Sequence, residues 1–282
     1  MTSEITTCDT GLGTTYERWA LNRVLSRLQS QFEIKSVLEG PGDGMTGIDG
    51  INSLILARGG AQVDVILQDQ ARVDLARRVY AAYGCEDNVT FHISPVLKLF
   101  PPHAPFDLVW NFNVMPLLQT PGIILKEMIQ ASGRFVLTLV PNRANYSFWL
   151  HRLHHRITRE EWDHGSPALM AAKPWRRMLQ EQGLVIRETI LVDVPWWPDI
   201  VDLGQLVRDV IPPLARWAPK TSPKDRYKWE IDDLPYFDPE RYAEVHRRME
   251  RLAFIERSRW RWLRTRFAHH VGVLAEKKPT TD

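Results

Sequence analysis

The stretch IKSVLEGPGDGMTG, residues 34–47, decides the fold of this chain. Its apolar start predicts a short buried strand, which ends at the carboxylate of Glu39, and three glycines then follow at alternate positions: Gly40, Gly42 and Gly44. Glycine tolerates positive φ and lets another group approach the backbone closely. A strand, a glycine turn and a helix form a nucleotide-sized binding edge at the carboxyl end of a parallel sheet. The carboxylate suits a ligand that offers a cation or hydroxyl groups, whereas a tight turn without a ligand is the alternative.

Composition limits the remaining choices. With 282 residues, 44% of them hydrophobic, the chain can bury a full core. A formal net charge of +2 provides no global field for nucleic acid or an anionic surface. Cys8 and Cys85 lie far apart and form no disulfide or metal-binding pattern, which is typical of a reduced compartment. Since no secretory signal or apolar run of about 20 residues is evident, we predict a cytoplasmic protein without a transmembrane segment.

Strand and helix patterns alternate along the chain. Strands are predicted at residues 36–39, 63–67, 88–93, 106–112, 134–140, 184–194 and 271–275. Helices are predicted at residues 14–32, 51–58, 70–83, 120–132, 145–157 and 174–182. This alternation predicts an α/β fold with a doubly wound, mostly parallel seven-stranded sheet of the Rossmann-like type.

The segment between the sixth and seventh strands interrupts this rhythm. It carries no strand pattern, many tryptophans, and two predicted helices, at 199–210 and from Asp238 onwards. Residues 1–12 are predicted to be frayed. The sequence therefore predicts three parts: an N-terminal helical segment over the binding pocket (1–33), a Rossmann-like core (34–194 and 271–282), and a helical, Trp-rich cap inserted before the last strand (195–270).

Five stretches, in this order, resemble the class I S-adenosylmethionine-dependent methyltransferases: VLEGPGDG, GAQVDVILQDQARVDLARRVY, NVTFHIS, PFDLVWNFNVM and RFVLTLVPN. The resemblance implies that S-adenosyl-L-methionine is the cofactor and that a methyl group passes in line to an acceptor. Carried over by position, it implies these cofactor contacts: Tyr16, Glu39, Gly40, Gly42, Asp43, Gly44, Asp69, Ser94, Asn111 and Asn113. The last two would face the reaction centre.

The chain departs from the pattern of this family at three places. One residue fewer separates the strand-end acid Glu39 from the first glycine. The acid expected to bind the ribose lies two positions late, at Asp69, where capping of the following helix is the alternative role. The acid on the adenine side is replaced by Ser94. These departures keep open a second hypothesis, a catalytically inactive protein that binds S-adenosylmethionine.

Two related classes of enzyme fit the sequence less well. A nicotinamide-binding enzyme needs GxGxxG, but the third glycine of that motif falls at Met45 or Thr46. A nucleic-acid methyltransferase is disfavoured because the fourth strand continues into NFNVM, which lacks the Asn/Asp-Pro-Pro-aromatic signature. We therefore expect a small-molecule acceptor and no nucleic acid, in a monomer or homodimer.

Polar side chains follow the fifth strand in VPNRANYSFWLHRLHHRITREEWDHG, residues 140–165, where a parallel sheet opens at its carboxyl edge. A histidine near its ordinary pKa can accept a proton from an acceptor at neutral pH. The candidate catalytic residues are Tyr146, His151, His154 and His155. The candidate substrate-binding residues are Asn142, Arg143, Asn145, Trp196 and Trp197. A polar, solvated helix face is the alternative role of the histidines.

The same histidines raise the question of a metal. His151 and His155 are four residues apart, a spacing that lets two histidines share a zinc ion, and Glu160, Glu161 and His164 follow downstream. The sequence assigns no third ligand and contains no HExxH order, so it predicts no metal.

The aromatic residues of the cap predict a lid over a fairly apolar acceptor that takes the methyl group on oxygen, sulfur or nitrogen. The run RSRWRWLRTRF, residues 257–267, also fits a basic and aromatic surface that contacts a membrane. A peripheral-membrane methyltransferase acting on a lipid or quinone is therefore a further hypothesis.

Overall fold

The computed structural model describes residues 5–42, 47–94, 105–159, 161–197 and 227–278. Its nine strands are β1 Cys8–Thr10, β2 Ser36–Glu39, β3 Gln62–Leu67, β4 Val89–Ile93, β5 Phe106–Phe112, β6 Ser132–Pro141, β7 Val185–Val192, β8 Lys228–Glu230 and β9 His270–Glu276. Seven of them form one sheet in the order β4-β3-β2-β5-β6-β9-β7. Neighbouring strands from β4 to β6 run parallel, and β9 runs antiparallel to both β6 and β7. This confirms the predicted mostly parallel seven-stranded sheet.

Eight helices surround the sheet in the described ranges. They are α1 Gly11–Phe32, α2 Leu54–Arg58, α3 Gln70–Ala82, α4 Pro121–Ala131, α5 Tyr146–Thr158, α6 Ala172–Glu181, α7 Ala243–Leu252 and α8 Arg261–Phe267. Side chains of each strand alternate between the two faces. Val37 packs with α1, α2 and α3, while its neighbour Leu38 packs with α4 and α6. The sheet is therefore buried on both faces, as its apolar strands require.

The predictions for the N-terminal residues and for the cap need correction. Residues 8–10, predicted to be frayed, form β1, which pairs antiparallel with β8 in a cap predicted to contain no strand. The predicted long helix from Asp238 is two short helices, α7 and α8. Three-residue strands have too short a pattern to be recognised, and their pairing joins segments more than 200 residues apart. The predicted helix at 199–210 lies outside the described residues.

A buried ion pair inside the N-terminal segment lies where this segment meets the core and the cap. Arg18 of α1 is 2% exposed and lies 3.1 Å from the carboxylate of Asp9, which is fully buried in β1. Tyr236 of the cap donates its hydroxyl proton to the same carboxylate. Asp9 also accepts a bond from the Ile48 amide at 2.8 Å. One carboxylate thus joins β1, α1, the cap and the segment after the glycine turn.

A membrane span is not found in the described part of the chain, since none of its helices is both long enough and apolar enough.

Candidate functional site

A cavity of about 220 Å³ lies where the parallel strands end. Its walls come from the turn after β5, the end of β6, the start of β9, α1, α5 and the loop after α5. Because β9 runs antiparallel, its first residues lie at the same edge as the last residues of β5 and β6. This edge is the usual ligand position in an open α/β sheet. The lining residues include Asn113, Asn142, Asn145 and His151, four of the residues that the sequence proposed for the site.

A histidine that the sequence did not assign lies at the centre of this edge. His270, the first residue of β9, is 4% exposed. The Nδ2 atom of Asn113 is 2.8 Å from its Nε2, and the Glu17 carboxylate is 3.5 Å from the same nitrogen. On the other side of the ring, Asp193 lies 3.9 Å from Nδ1. An imidazole between two carboxylates is placed to hold a positive charge.

His269 makes a second pair next to it. Its Nδ1 is 2.8 Å from the Asp193 carboxylate, and its Nε2 is 3.2 Å from the carbonyl oxygen of Trp197. Both ring nitrogens face acceptors, an arrangement that suits the cationic imidazolium. His269 therefore fixes Asp193 and links it to the first residues of the cap.

Two residues beside the cavity have left-handed backbone conformations. Asn113 has φ of 60° and Asp193 has φ of 57°. Such conformations are uncommon for residues other than glycine and cluster at functional sites. Each also has one buried side-chain oxygen, Oδ1, without a hydrogen-bond partner in the described structure. The unpaired acceptor of Asn113, which lines the cavity, favours a ligand that donates a hydrogen bond.

Asn142 and Asn145 shape the cavity wall through the backbone. The Nδ2 of Asn142 donates to the carbonyl oxygens of Thr265 and Ala268 at 2.8 and 2.9 Å. Asn145 caps α5 by accepting from the Ser147 amide at 2.8 Å and donates to Ala268 at 3.0 Å. Their polar atoms therefore hold the end of α8 against the start of α5, which is a positioning role.

Three histidines of α5 and the loop after it lie close together. His151 and His155, one turn apart on α5, have their Nε2 atoms 3.2 Å apart. His164, from the following loop, places its Nε2 3.2 Å from that of His155. His151 and His164 line the cavity. His154 is not part of this group: its ring lies edge-on to His155 at 6.2 Å.

The glycine turn forms against the neighbouring strands. Gly40 donates to the Trp110 carbonyl of β5, and Gly42 donates to the Ile66 carbonyl of β3, at 2.9 and 2.8 Å. A Cβ on Gly42 would lie 3.1 Å from the Ile66 carbonyl oxygen and from Val65. Close packing against β3 therefore explains part of the requirement for glycine at position 42, without a ligand. Asp43 and Gly44 lie outside the described residues.

Glu39 is fully buried at the end of β2. Its two oxygens accept from the Asn52 side chain and the Ser53 amide, each at 2.9 Å. Burial raises the pKa of this carboxyl, and the bonds from Ser53 and Asn52 oppose that rise. Since a carboxylate offers about four acceptor positions, Glu39 still has capacity for a ligand hydroxyl.

Asp69 has the capping role that was the alternative reading of its position. It accepts from the Arg72 amide at 2.9 Å and pairs with the Arg72 guanidinium. The bond from the Arg72 amide lowers the pKa of Asp69, so the group is charged at neutral pH. Its side chain is 43% exposed at the carboxyl end of β3, which leaves it accessible to a ligand. Ser94 follows β4, and its amide donates to Leu67 at 2.8 Å.

The remaining predicted residues are not among those that line the cavity. Asn111 was predicted to face the reaction centre, but its Nδ2 donates to the sulfur of Met128 of α4 at 3.2 Å. Tyr16 is fully buried and donates its hydroxyl proton to Glu256 at 2.9 Å. Its ring lies edge-on to that of Trp197, with centroids 5.3 Å apart. Beyond them, the structure places three residues outside the cavity lining: Arg143, exposed near Pro167; Tyr146, which donates to the carbonyl oxygen of Trp196 at 3.0 Å; and Trp196, 56% exposed.

Four residues of this region were missed by the sequence reasoning: Glu17, Asp193, His269 and His270. A usable signal existed for the last two, since a polar pair directly before a final antiparallel strand must fall at the carboxyl edge of its parallel neighbours. No local pattern marks Glu17 or Asp193, which reach the site from α1 and from the end of β7.

No family model matches this chain. No curated protein matches it in sequence. Among solved structures, it is similar to magnesium protoporphyrin IX methyltransferase from Synechocystis PCC 6803 with bound SAH, at 14% identity and TM-score 0.50, over 64% of this chain and 78% of that chain. It is also similar to the MccD protein, at 11% identity and TM-score 0.51, over 90% and 96% of the two chains. The [4+2]-cyclase SpnF matches at 14% identity and TM-score 0.51, over 91% and 80%.

The fold is therefore that of the class I S-adenosylmethionine-dependent methyltransferases, as the resemblance of the sequence implied. Identities this low establish the architecture alone. One of these neighbours is named a cyclase, so the reaction of this chain must be argued from its own site.

Proposed function

We propose that this protein is a methyltransferase that uses S-adenosyl-L-methionine to methylate a small, fairly apolar acceptor on oxygen, sulfur or nitrogen. The observation that carries the proposal is the cavity at the ends of β5 and β6, with His270 held between Glu17 and Asp193 on its wall. The glycine turn lies at the same edge of the sheet. The Gly40 amide donates a hydrogen bond to the carbonyl oxygen of Trp110, near the end of β5.

The described residues fit the cofactor at two points. Glu39 ends the first strand of the sheet and keeps acceptor capacity after its bonds to Asn52 and Ser53. Asp69 offers an exposed, charged carboxylate at the end of β3, suited to ribose hydroxyls. When bound, the cofactor would supply an electrophilic methyl group on a sulfonium.

The chain must then position the acceptor and take its proton. In the neutral His270, the lone pair of Nε2 accepts a hydrogen bond from the Nδ2 of Asn113. The proton of the acceptor would reach this lone pair when the Asn113 amide turns away. Rotation of the Asn113 amide would present its unpaired Oδ1 to the protonated ring. The carboxylates of Glu17 and Asp193 would stabilise the resulting charge. We assign His270 as the proton acceptor, in preference to His151, His154, His155 and Tyr146.

The experiment is a screen for release of S-adenosylhomocysteine with phenols, thiols and amines of low polarity. We expect turnover with one of these classes. His270→Gln retains a partner for Asn113 but cannot take a proton, so kcat should fall about 10²- to 10⁴-fold, with donor affinity unchanged. Equal turnover of His270→Gln at every pH would contradict the role of His270. Donor binding without product in any class would instead favour the inactive binding protein.

A specific observation supports a second candidate, a methyltransferase that works at a membrane surface. The outward side of α5 exposes Trp149, Leu153 and Ile157 at intervals of four residues, by 61%, 45% and 49%. Arg152 and Arg156 lie between them. Apolar anchors with interleaved arginines match an anionic lipid surface.

Vesicle co-sedimentation separates the two candidates. Vesicles that contain phosphatidylglycerol should retain the wild-type protein, and Leu153→Glu should release it. Recovery of the wild-type protein in the supernatant, with anionic and neutral vesicles alike, would exclude the membrane-surface enzyme and leave the soluble acceptor.

A further inference from the structure

We infer that His151, His155 and His164 form a zinc site whose open coordination position adjoins the cavity. This inference goes beyond methyl transfer, since it requires neither donor nor acceptor. The sequence predicted no metal because it lacked a third ligand. The fold supplies that ligand by returning the loop after α5 to the helix, where His164 joins the pair.

The distances between the three side chains match those of a metal site. The Nε2 of His155 lies 3.2 Å from the Nε2 of His151 and 3.2 Å from the Nε2 of His164. In tetrahedral zinc with Zn–N bonds of about 2.0–2.1 Å, two nitrogen ligands are separated by about 3.3–3.4 Å. The three ring centroids also form a nearly even triangle, with sides of 4.9, 4.7 and 5.1 Å.

The tautomer of His155 is the one that a metal ligand needs. Its Nδ1 lies 3.1 Å from the carbonyl oxygen of Glu161, which can only accept. Nδ1 therefore carries the proton, and the neutral ring presents its Nε2 lone pair to the other two histidines. A ligating histidine commonly donates its other N–H to a backbone carbonyl in this way, because that bond fixes the tautomer and the ring orientation.

An aromatic side chain supports the three rings. Trp162 lies edge-on to His151, His155 and His164 at 5.6, 5.3 and 5.0 Å. Its own Nε1 donates to the Gly165 carbonyl at 2.7 Å, so the indole is fixed. The ligands are thereby held in place before a metal arrives, which lowers the entropy lost on binding.

The chemistry of the ligands points to zinc with one exchangeable position. Three neutral imidazoles suit zinc, and a site with three protein ligands keeps the fourth position for water or substrate. Two of the three rings line the same cavity as His270. The carboxylate of Asp163, 3.5 Å from the Nε2 of His164 and 63% exposed, is the nearest competing ligand for that position.

Calorimetric titration of chelator-washed, full-length protein with zinc chloride tests the site. We expect one equivalent of zinc to bind the wild-type protein. His164→Ala should weaken the affinity at least about 100-fold, the upper end of what loss of an outer-shell partner costs. His154→Ala is the matched control: it removes a histidine from the same helix outside the triangle, and zinc affinity should not change.

Cobalt substitution gives a second readout. The wild-type protein and His154→Ala should show the strong visible absorption of tetrahedral cobalt, whereas His164→Ala and His151→Gln should not.

Unfolding midpoints measured without metal verify that each variant is folded, and His151→Gln replaces His164→Ala if the latter is not. Zinc binding at less than one equivalent in the wild type, or unchanged zinc affinity in both ligand variants, would overturn the inference. Neither result would affect the proposed methyl transfer.

Discussion

Glu39 is a buried group of the fold that we also propose for the cofactor site. Its carboxylate is fully buried and accepts two bonds, from Asn52 and Ser53. In Glu39→Gln, one of these donors would face an amide nitrogen instead of an oxygen. We therefore expect the free energy of unfolding at neutral pH to fall by about 1–3 kcal/mol, the cost of an unsatisfied buried donor. Urea unfolding of both proteins measures this difference, and equal midpoints would contradict the assigned contacts.

The pH dependence of stability provides an independent check of the same residue. Burial raises the pKa of Glu39 in the folded state above the value of about 4.3 in the unfolded chain. Between these two values the folded state binds more protons, so stability contributed by the neutral form is lost as pH rises through the folded pKa. The stability of the wild type relative to Glu39→Gln should therefore decline with rising pH in this window. A difference that increases would contradict the raised pKa.

At the residue scale, local sequence could identify Glu39, Gly40 and Asn113 because each ends or follows a strand. It could not identify Glu17 or Asp193, and it left His164 unassigned as a third metal ligand. Their positions near His270 or the α5 histidines arise from chain crossings that no local spacing records. Asn111 shows the converse limit. Residues two apart share a face of a strand, but β5 ends at Phe112 and Asn113 has a φ of 60°, so the alternation does not carry over from Asn111 to Asn113.

The N-terminal segment contains the buried pair between Asp9 and Arg18, and the same carboxylate bonds to Tyr236 of the cap and to the Ile48 amide. Asp9→Asn would leave the guanidinium of Arg18 buried without its carboxylate. Removing one partner of a buried ion pair costs about 3–5 kcal/mol. We expect that loss in denaturant unfolding. Because the charge itself causes it, the double variant Asp9→Asn with Arg18→Met should recover part of the lost stability. No recovery in the double variant would contradict this explanation.

At the element scale, the seven strands of the sheet were predictable because each is an apolar run bounded by turns. The helix starts at Asp69 and Asn145 likewise have local signals, since each residue caps its helix. The β1–β8 pairing was not predictable. It joins two three-residue segments whose only shared property is their position in the folded chain.

At the scale of the whole molecule, the sheet order brings the chemistry of the chain to one edge. The glycine turn, Asn113, Asn142 and His270 all lie at the carboxyl ends of parallel strands or at the start of the antiparallel strand that returns to them. His151 and His164 line the cavity at this edge. The proposed donor site, proton acceptor and zinc site are therefore neighbours because of the topology.

The central claim is that this edge binds S-adenosyl-L-methionine. Isothermal titration of the full-length protein with S-adenosyl-L-methionine and with S-adenosylhomocysteine tests it most directly. We predict one equivalent of each ligand, in competition for the same site, with the affinity of both reduced in Asp69→Ala. Absence of binding heat at millimolar concentrations of both ligands would contradict the account.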